Sequence, residues 1–482
     1  MHIVDILIFI VYLLGMLGIG WYFMRQNQSK EDYYVGGRNI GSWHIGLSVV
    51  ATDVGGGFSI GLGGLGFAMG LAGSWLLFTG LLGAWLAAVF LIPKIKKLEE
   101  TQTFYTFPQI FQYFYNPKVA LLAGIISGIG YLGFTSSQIL AGAKLASATV
   151  KELDMTTALI IMGAVVIVYT VMGGIKAVIY SDTIQWIILM VGLIFVGIPI
   201  SIYKLGGWAK IQASLAASFF DITNISAVQL INWGVSIIPI WFVGMTLYQR
   251  IYASAGEKQA KKAWFIAGLF EYPVMAFMGV MLGLLARVAA DDGLFAYMGY
   301  ETVANLDKEM GLPLLLRTVL PVGFLGIMLS AYFSAIMSTA DSCLMAASGN
   351  IVTDILGRFF QFSDQRMLRV SQIATLAIGA MALLLATFIQ NVLSLMLYSY
   401  AFMVSGLFVP LLGALYWRKS HPTAAIWAML LGGMTTVILS VLTSSKQLSL
   451  PWGLDANIFG ITVSLLAFVS ISQILFKEKS TL

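Results

Sequence analysis

The sequence predicts an all-α, polytopic membrane protein of about thirteen transmembrane helices, and three observations carry that expectation. Hydrophobic residues make up 59% of the 482 and charged residues only 10%, with a mean hydropathy of +0.88, a balance foreign to soluble globular domains. Apolar runs near 3–24, 44–70, 72–98, 119–150, 157–173, 177–203, 228–253, 262–290, 317–351, 367–389, 391–416, 422–443 and 454–476 approach or exceed the roughly 20 residues a spanning helix needs. The loops between them sort by charge. With the N-terminus outside, cytoplasmic loops collect Arg25, Lys30, Arg38, Lys94, Lys96, Lys97, Lys118, Arg250, Lys258, Lys261, Lys262, Arg358, Arg369, Arg418 and Lys419, while the outer loop holding Asp291, Asp292, Glu301, Asp307 and Glu309 is acidic. The expectation is a multi-pass protein of the plasma (inner) membrane with a cytoplasmic C-terminus, in contact with membrane lipid.

The same observations exclude other classes. The net charge of +5 follows from loop sorting and requires no nucleic-acid partner. The first apolar run lacks a basic leader and is followed by Arg25, so it reads as a span and not as a signal peptide. Cys343 stands alone, which rules out an internal disulfide and suits a packing role. His2, His44 and His421 are scattered, and no nucleophile–base pair is evident, so the chain does not read as an enzyme. Asn224-Ile225-Ser226 matches a glycosylation sequon on an outer loop, a match too short to carry weight.

Two features inside the spans point to chemistry. Asp341 lies in SAYFSAIMSTADSCLMAAS (330–348), where a carboxylate costs roughly 2.5–3.5 kcal/mol on insertion scales. Ser338, Asp341 and Ser342 follow at i, i+3 and i+4, with Ser334 one turn back, so their oxygens share a helix face. Such a line of hard oxygens with one negative charge suits a small, hard cation such as sodium; the plain alternative is a buried Asp hydrogen-bonded to a neighbouring helix.

The second feature is a pair of interruptions. Span two carries Asp53-Val54-Gly55-Gly56-Gly57, where successive glycines favour unwinding. Gly61, Gly63, Gly64 and Gly66, further along, read as close packing. Span seven carries Pro239 and Gly244 within IIPIWFVGMTLYQR, a second break five spans later. Paired broken helices in two halves of a chain mark the central site of a transporter. Glu271 in span eight and Lys144 near the outer end of span four have no evident partner; Lys144 can snorkel to the interface, and Glu271 is either a hydrogen-bonded structural acid or a proton carrier. The segment 294–312 suits a short helix over the outer face.

These elements resemble the sodium:solute symporters, carriers of proline, sugars, choline, pantothenate and sialic acid. The likeness runs from Asp32 to Trp417 through five motifs in order: DYYVGGRNIGSWHIGLSVVAT (32–52), MGGIKAVIYSDTIQ (172–185), LYQRIYASAGEKQAKKAW (247–264), STADS with SGNIVTDI (348–355), and GALYWRKSHPTAAIWAMLLG (413–432). It implies a leucine-transporter-type fold with two inverted five-helix repeats. The first repeat would occupy 44–203 and the second 228–416, within a single membrane transport domain that adds an N-terminal helix and loop (1–43) and two C-terminal helices (422–476).

It further implies a sodium site of backbone carbonyls from Ala51, Val54 and Ala335 with hydroxyls from Ser338 and Thr339. A second sodium position would fall on Asp182, Ser338, Asp341 and Ser342. A cation shared by Asp182 and Asp341 would relieve the repulsion of two carboxylates in one low-dielectric pocket; alternatively, Asp182 caps a hydrated helix end. Beside the unwound stretches, a substrate pocket would use Asp53, Gly55, Gly56, Phe58, Trp241, Gly244 and Tyr248, with Phe134 and Gln138, and also Tyr131, from span four.

Choline carriers of the family place an aromatic near position 53 and a tryptophan near 244, where this chain has Asp53 and Gly244; proline carriers place an Asp at the matching position. The resulting expectation is a sodium-coupled symporter that imports an amino acid or other amine-bearing solute by alternating access. Na⁺ would be the coupling ion, with no organic cofactor, and the carrier would work as a monomer. The alternatives are a symporter for a sugar, a carboxylate or a choline-like cation, a symporter-like membrane receptor, or an ion channel. The receptor reading calls for a kinase domain after the spans, which the sequence to Leu482 lacks; a channel filter would repeat its glycine loop around a pore.

Overall fold

A computed structural model of the protein describes residues 2–26, 35–173, 175–360 and 363–480. Lys30, the first three residues of the 32–52 motif, Gly174 and the side chain of Phe58 lie outside that description. Helix occupies the expected apolar stretches: α1 Ile3–Gln26, α2 Ser42–Met69, α3 Trp75–Leu86, α4 Pro117–Thr149, α5 Met155–Gly173, α6 Ile175–Gly192, α7 Ala227–Val243, α8 Met245–Ala253, α9 Glu257–Leu269, α10 Ala276–Asp291, α11 Phe324–Gly349, α12 Asp364–Ala386, α13 Val392–Tyr416, α14 Pro422–Ser444 and α15 Ala456–Ser480. By length and apolarity, nine described helices can cross a membrane, or ten if the bent pair α7–α8 is one span. The expected thirteen is not confirmed by that measure, in which Ser59–Glu99, taking in the end of α2 and all of α3, counts once.

Side chains at helix ends fix how the spans stack. The carboxylate of Asp5 on α1 is buried and accepts the N–H groups of Gly323 (2.7 Å) and Gly326 (2.9 Å), so the first helix caps the start of α11. Just before α2, Ile40 pairs with the chain after α8: its N–H donates to Ala253 O at 3.0 Å, and its carbonyl accepts from Ala255 at 3.4 Å. The approach to one broken helix is thereby tied to the tail of the other.

Lys144 does not snorkel. Its ammonium is buried between Asp307 (2.5 Å) and Glu309 (2.6 Å), and Glu309 in turn accepts the N–H groups of Val392 (2.9 Å) and Leu393 (3.1 Å) at the start of α13. The segment 294–312 thus lies over one end of α2, α4 and α13, as three short turns rather than one helix. An acidic residue reaching a helix N-terminus and a buried lysine together hold this cover in place.

The glycine cluster after the break is a packing surface. A methyl group at Gly66 would run into the backbone carbonyl of Val280, and one at Gly283 into that of Gly63; α2 and α10 therefore touch backbone to backbone. Because backbone cannot step aside, Gly66→Ala is expected to lower stability by about 1–3 kcal/mol, read as a lower thermal midpoint of the purified protein. Gly15→Ala on α1, where an added methyl meets nothing within 4 Å, should leave the midpoint unchanged.

Candidate functional site

The site begins where α2 opens. Gly55 has φ 35° and ψ −155°, a conformation that only glycine adopts without strain. A side chain there would also overlap Thr339, which α11 presses against the break. The Thr339 hydroxyl lies 3.0 Å from the carbonyl oxygen of Ala51 and 3.2 Å from that of Ala335. Ala51, Ala335 and Thr339, three of the five residues expected at the first sodium position, are thereby brought together. Val54 is fully buried, with its carbonyl on the peptide leading into Gly55. Ser338 lies on the same helix, but its hydroxyl donates to Asp182 Oδ1.

Asp182 does not sit at a hydrated helix end. It is buried, accepts from Ser48 at 2.6 Å as well as from Ser338, and has the guanidinium of Arg250 3.7 Å away. Arg250 also reaches Ser48 (3.2 Å), Thr52 (2.5 Å), Ser342 (2.9 Å) and the carbonyl of Thr246 (3.2 Å). Arg250 is therefore not a loop cation as charge sorting predicts, but a fully buried one. The cause is the break at Gly244: α8 leaves α7 at 43° and carries its arginine back towards α2. Asp341, one turn along α11, accepts from Thr170 on α5 at 2.5 Å, while its other oxygen has no partner. Among the described residues, no hydrogen-bond partner is common to Asp182 and Asp341. The ridge of Ser334, Ser338, Thr339, Asp341 and Ser342 is buried along its length and faces protein, not lipid.

On the other side of the opened strand, the N–H of Gly56 donates to Gln138 Oε1 at 2.8 Å. Gln138 thus replaces a helix partner that the break removes. Asp53 is buried, with the Tyr400 hydroxyl donating to Oδ1 at 3.3 Å and no donor at Oδ2. Phe134 meets Tyr400 edge-on at 5.1 Å and lies over Tyr131 at 6.3 Å. Tyr131 holds the start of α8 through the hydroxyl (3.0 Å) and N–H (3.1 Å) of Thr246, next to Gly244.

Asp53, Gly55, Gly56, Phe134 and Gln138 are thus one neighbourhood. Tyr248 is turned elsewhere: its hydroxyl donates to Phe242 O at 2.8 Å, and its ring packs on Phe107 at 4.7 Å. Trp241 is buried edge-on to Trp264 and packs against Gly83 of α3, with its indole N–H unpaired.

Sequence reasoning missed Arg250, Ser48, Thr52, Thr170 and Tyr400 as members of the site. Ser48 and Thr52 are hydroxyls at i and i+4 leading into the break, a readable signal, and Arg250 follows Gly244 by six residues. Thr170 and Tyr400 give none. Among the described residues, no three His, Cys, Asp or Glu converge. The donors on hand are carbonyls, hydroxyls and carboxylates, the hard-oxygen set that suits an alkali cation.

Known proteins resemble this chain in sequence and in fold. A profile of the sodium:solute symporter family matches residues 33–432. The high-affinity proline transporter PutP of Bacillus subtilis is 28% identical, over 88% of this chain and 89% of its own. The sodium/glucose cotransporter of Vibrio parahaemolyticus is 24% identical, over 97% and 90%, and the sodium/proline symporter of Escherichia coli is 25% identical, over 89% and 86%. Among solved structures, a sodium-coupled sialic acid symporter in a substrate-bound, outward-open state superposes with a TM-score of 0.78 at 19% identity, covering 98% of each chain. Mhp1, a nucleobase-cation-symport-1 transporter, gives 0.58 at 11% identity over 94% and 96%. At these identities the two structures speak for the fold, which is of the leucine-transporter type. The chain belongs to the sodium:solute symporter family: it is a multi-pass membrane carrier that couples sodium to a small organic solute, and not an enzyme.

Proposed function

We propose that the solute is an amino acid or another small amine-bearing molecule, imported with sodium by alternating access. The observation that carries this reading is Asp53, a buried carboxylate at the helix break with one oxygen unpaired. Proline carriage by PutP of Bacillus subtilis and the symporter of Escherichia coli supports it. A sugar is the second reading, since the Vibrio parahaemolyticus relative carries glucose; a sugar has no charge to set against a buried acid.

In this reading Ala51, Val54, Ala335, Ser338 and Thr339 hold sodium where α2 meets α11. A second position at Asp182, Ser338, Asp341 and Ser342 competes with Arg250 for Asp182. Gly55, Gly56, Phe58, Phe134, Gln138, Trp241 and Gly244 surround the solute, and Tyr248, turned onto Phe107, supports the wall behind them. The repeats are 44–203 and 228–416, each opening with a broken helix, and 1–43 and 422–476 are additions. The N-terminus faces outward and the C-terminus the cytoplasm, in the plasma membrane, and the carrier works as a monomer among lipid.

A sodium ion entering the junction takes over the Ala51 and Ala335 carbonyls and joins the two helices by charge. Sodium and solute then tighten each other's binding by the same factor.

Three outcomes test this in proteoliposomes. Radiolabelled proline uptake driven by a sodium gradient should exceed glucose uptake, and the reverse order would favour the sugar reading. Thr339→Ala should raise the sodium concentration for half-maximal uptake by about 10–100-fold, the equivalent of losing a bond of about 1.5–3 kcal/mol to a charged group. Asp341→Ala should abolish sodium-driven uptake; unchanged sodium dependence in that variant would remove the ridge from the ion path.

A further inference from the structure

Glu271 is a buried acid outside the proposed sodium and solute positions. It lies on the widened turn Phe270–Met275 between α9 and α10, beside Tyr272, whose backbone (φ −135°, ψ 124°) leaves the helix. One carboxylate oxygen occupies the space that a side chain at Gly80 of α3 would fill. Glu271 is fully buried, and its carboxyl lies beside that of Asp53. No protein donor reaches Asp53 Oδ2 or either Glu271 oxygen. Among the described residues, no lysine or arginine forms an ion pair with either acid.

Three acceptors on two adjoining acids, with no protein donor, suit a positively charged donor group. A structural acid would instead show a donor of its own, as Asp5 and Glu309 do. One turn along α3 from Gly80, at Gly83, the buried indole N–H of Trp241 is a donor without an acceptor. Orphan acceptors and an orphan donor on one helix face match a ligand that carries both charges.

We propose that Asp53 and Glu271 form a two-carboxylate seat for the cargo's amine nitrogen. The seat rests on the reading of the cargo as an amine. Its N–H groups meet the three open oxygens, and a methyl at Gly80 would push one of those oxygens aside.

The test uses the full chain, purified, with thermal shift as the readout. Pyrrolidine supplies the bare amine, tetrahydrofuran its uncharged isostere, and proline the amino acid. In wild type, pyrrolidine should protect and tetrahydrofuran should not. Glu271→Gln and Asp53→Asn should each weaken protection by at least about tenfold, and Gly80→Ala should weaken it in part without any change of charge. The sodium-induced shift in the same samples reports that each variant is folded. No protection by pyrrolidine, equal protection by tetrahydrofuran, or undiminished protection in folded Glu271→Gln overturns the seat. Protection by pyrrolidine but not by proline leaves the seat standing and overturns the amino-acid reading.

Discussion

The Thr339 hydroxyl, set between the carbonyls of Ala51 and Ala335, is the contact on which the centre of this protein depends. A helix opened inside a membrane leaves backbone groups that lipid cannot satisfy, each costing several kcal/mol. Here the losses at Gly55 are met one by one: Thr339 from α11 takes the Ala51 carbonyl, Gln138 from α4 takes the Gly56 N–H, and Ser59 from α2 itself takes the Gly55 carbonyl. All three replacements are side-chain bonds, and side chains can exchange partners. The break is therefore stable yet open to substitution by an ion that offers the same carbonyls a full charge.

Arg250 is the second constraint. A guanidinium in the membrane interior is tolerated only where it is paired and every donor finds an acceptor. Ser48, Thr52, Ser342, the Thr246 carbonyl and Asp182 supply that coordination from α2, α6, α8 and α11. One fixed cation thus joins both broken helices to the ridge. Asp341 escapes its reach, and that acid has a bare oxygen. Of the two acids expected to share an ion, one already faces the resident charge of Arg250 and the other keeps an unpaired oxygen.

What was legible in the sequence follows from distance along the chain. Ser338, Asp341 and Ser342 announce a common face because helical spacing is local, and the packing role of Gly61 to Gly66 follows from the same rule. The opening at Gly55 shows in three consecutive glycines. Arg250 was misplaced because charge sorting treats each cation after a span as a loop residue and has no knowledge of a bend at Gly244. Lys144 and Glu309 are far apart in sequence, and nothing local in either predicts the other. Thr170 and Tyr400 are ordinary residues of apolar helices, made part of the site only by what packs against them. The count of thirteen spans is a different matter: by length and apolarity nine or ten described helices qualify, and Ser59–Glu99, which takes in the end of α2 and all of α3, counts there as one.

The placement of Asp53 between Ala51 and Val54 explains how ion and solute can act on each other. On the last helical turn before Gly55, Ala51 turns its carbonyl to Thr339 of α11 while Asp53 presents its carboxylate to Tyr400 of α13 and lies beside Glu271. In the proposed reading the same few peptides form a wall of both sites. Fixing their dihedrals for sodium removes freedom that the solute would otherwise have to remove, and the converse holds equally. Coupling of about 1–3 kcal/mol is typical when two ligands share such a step, and no long path through the protein is required. Glycine at position 55 makes this possible twice over, since it alone takes the open conformation and leaves room for Thr339.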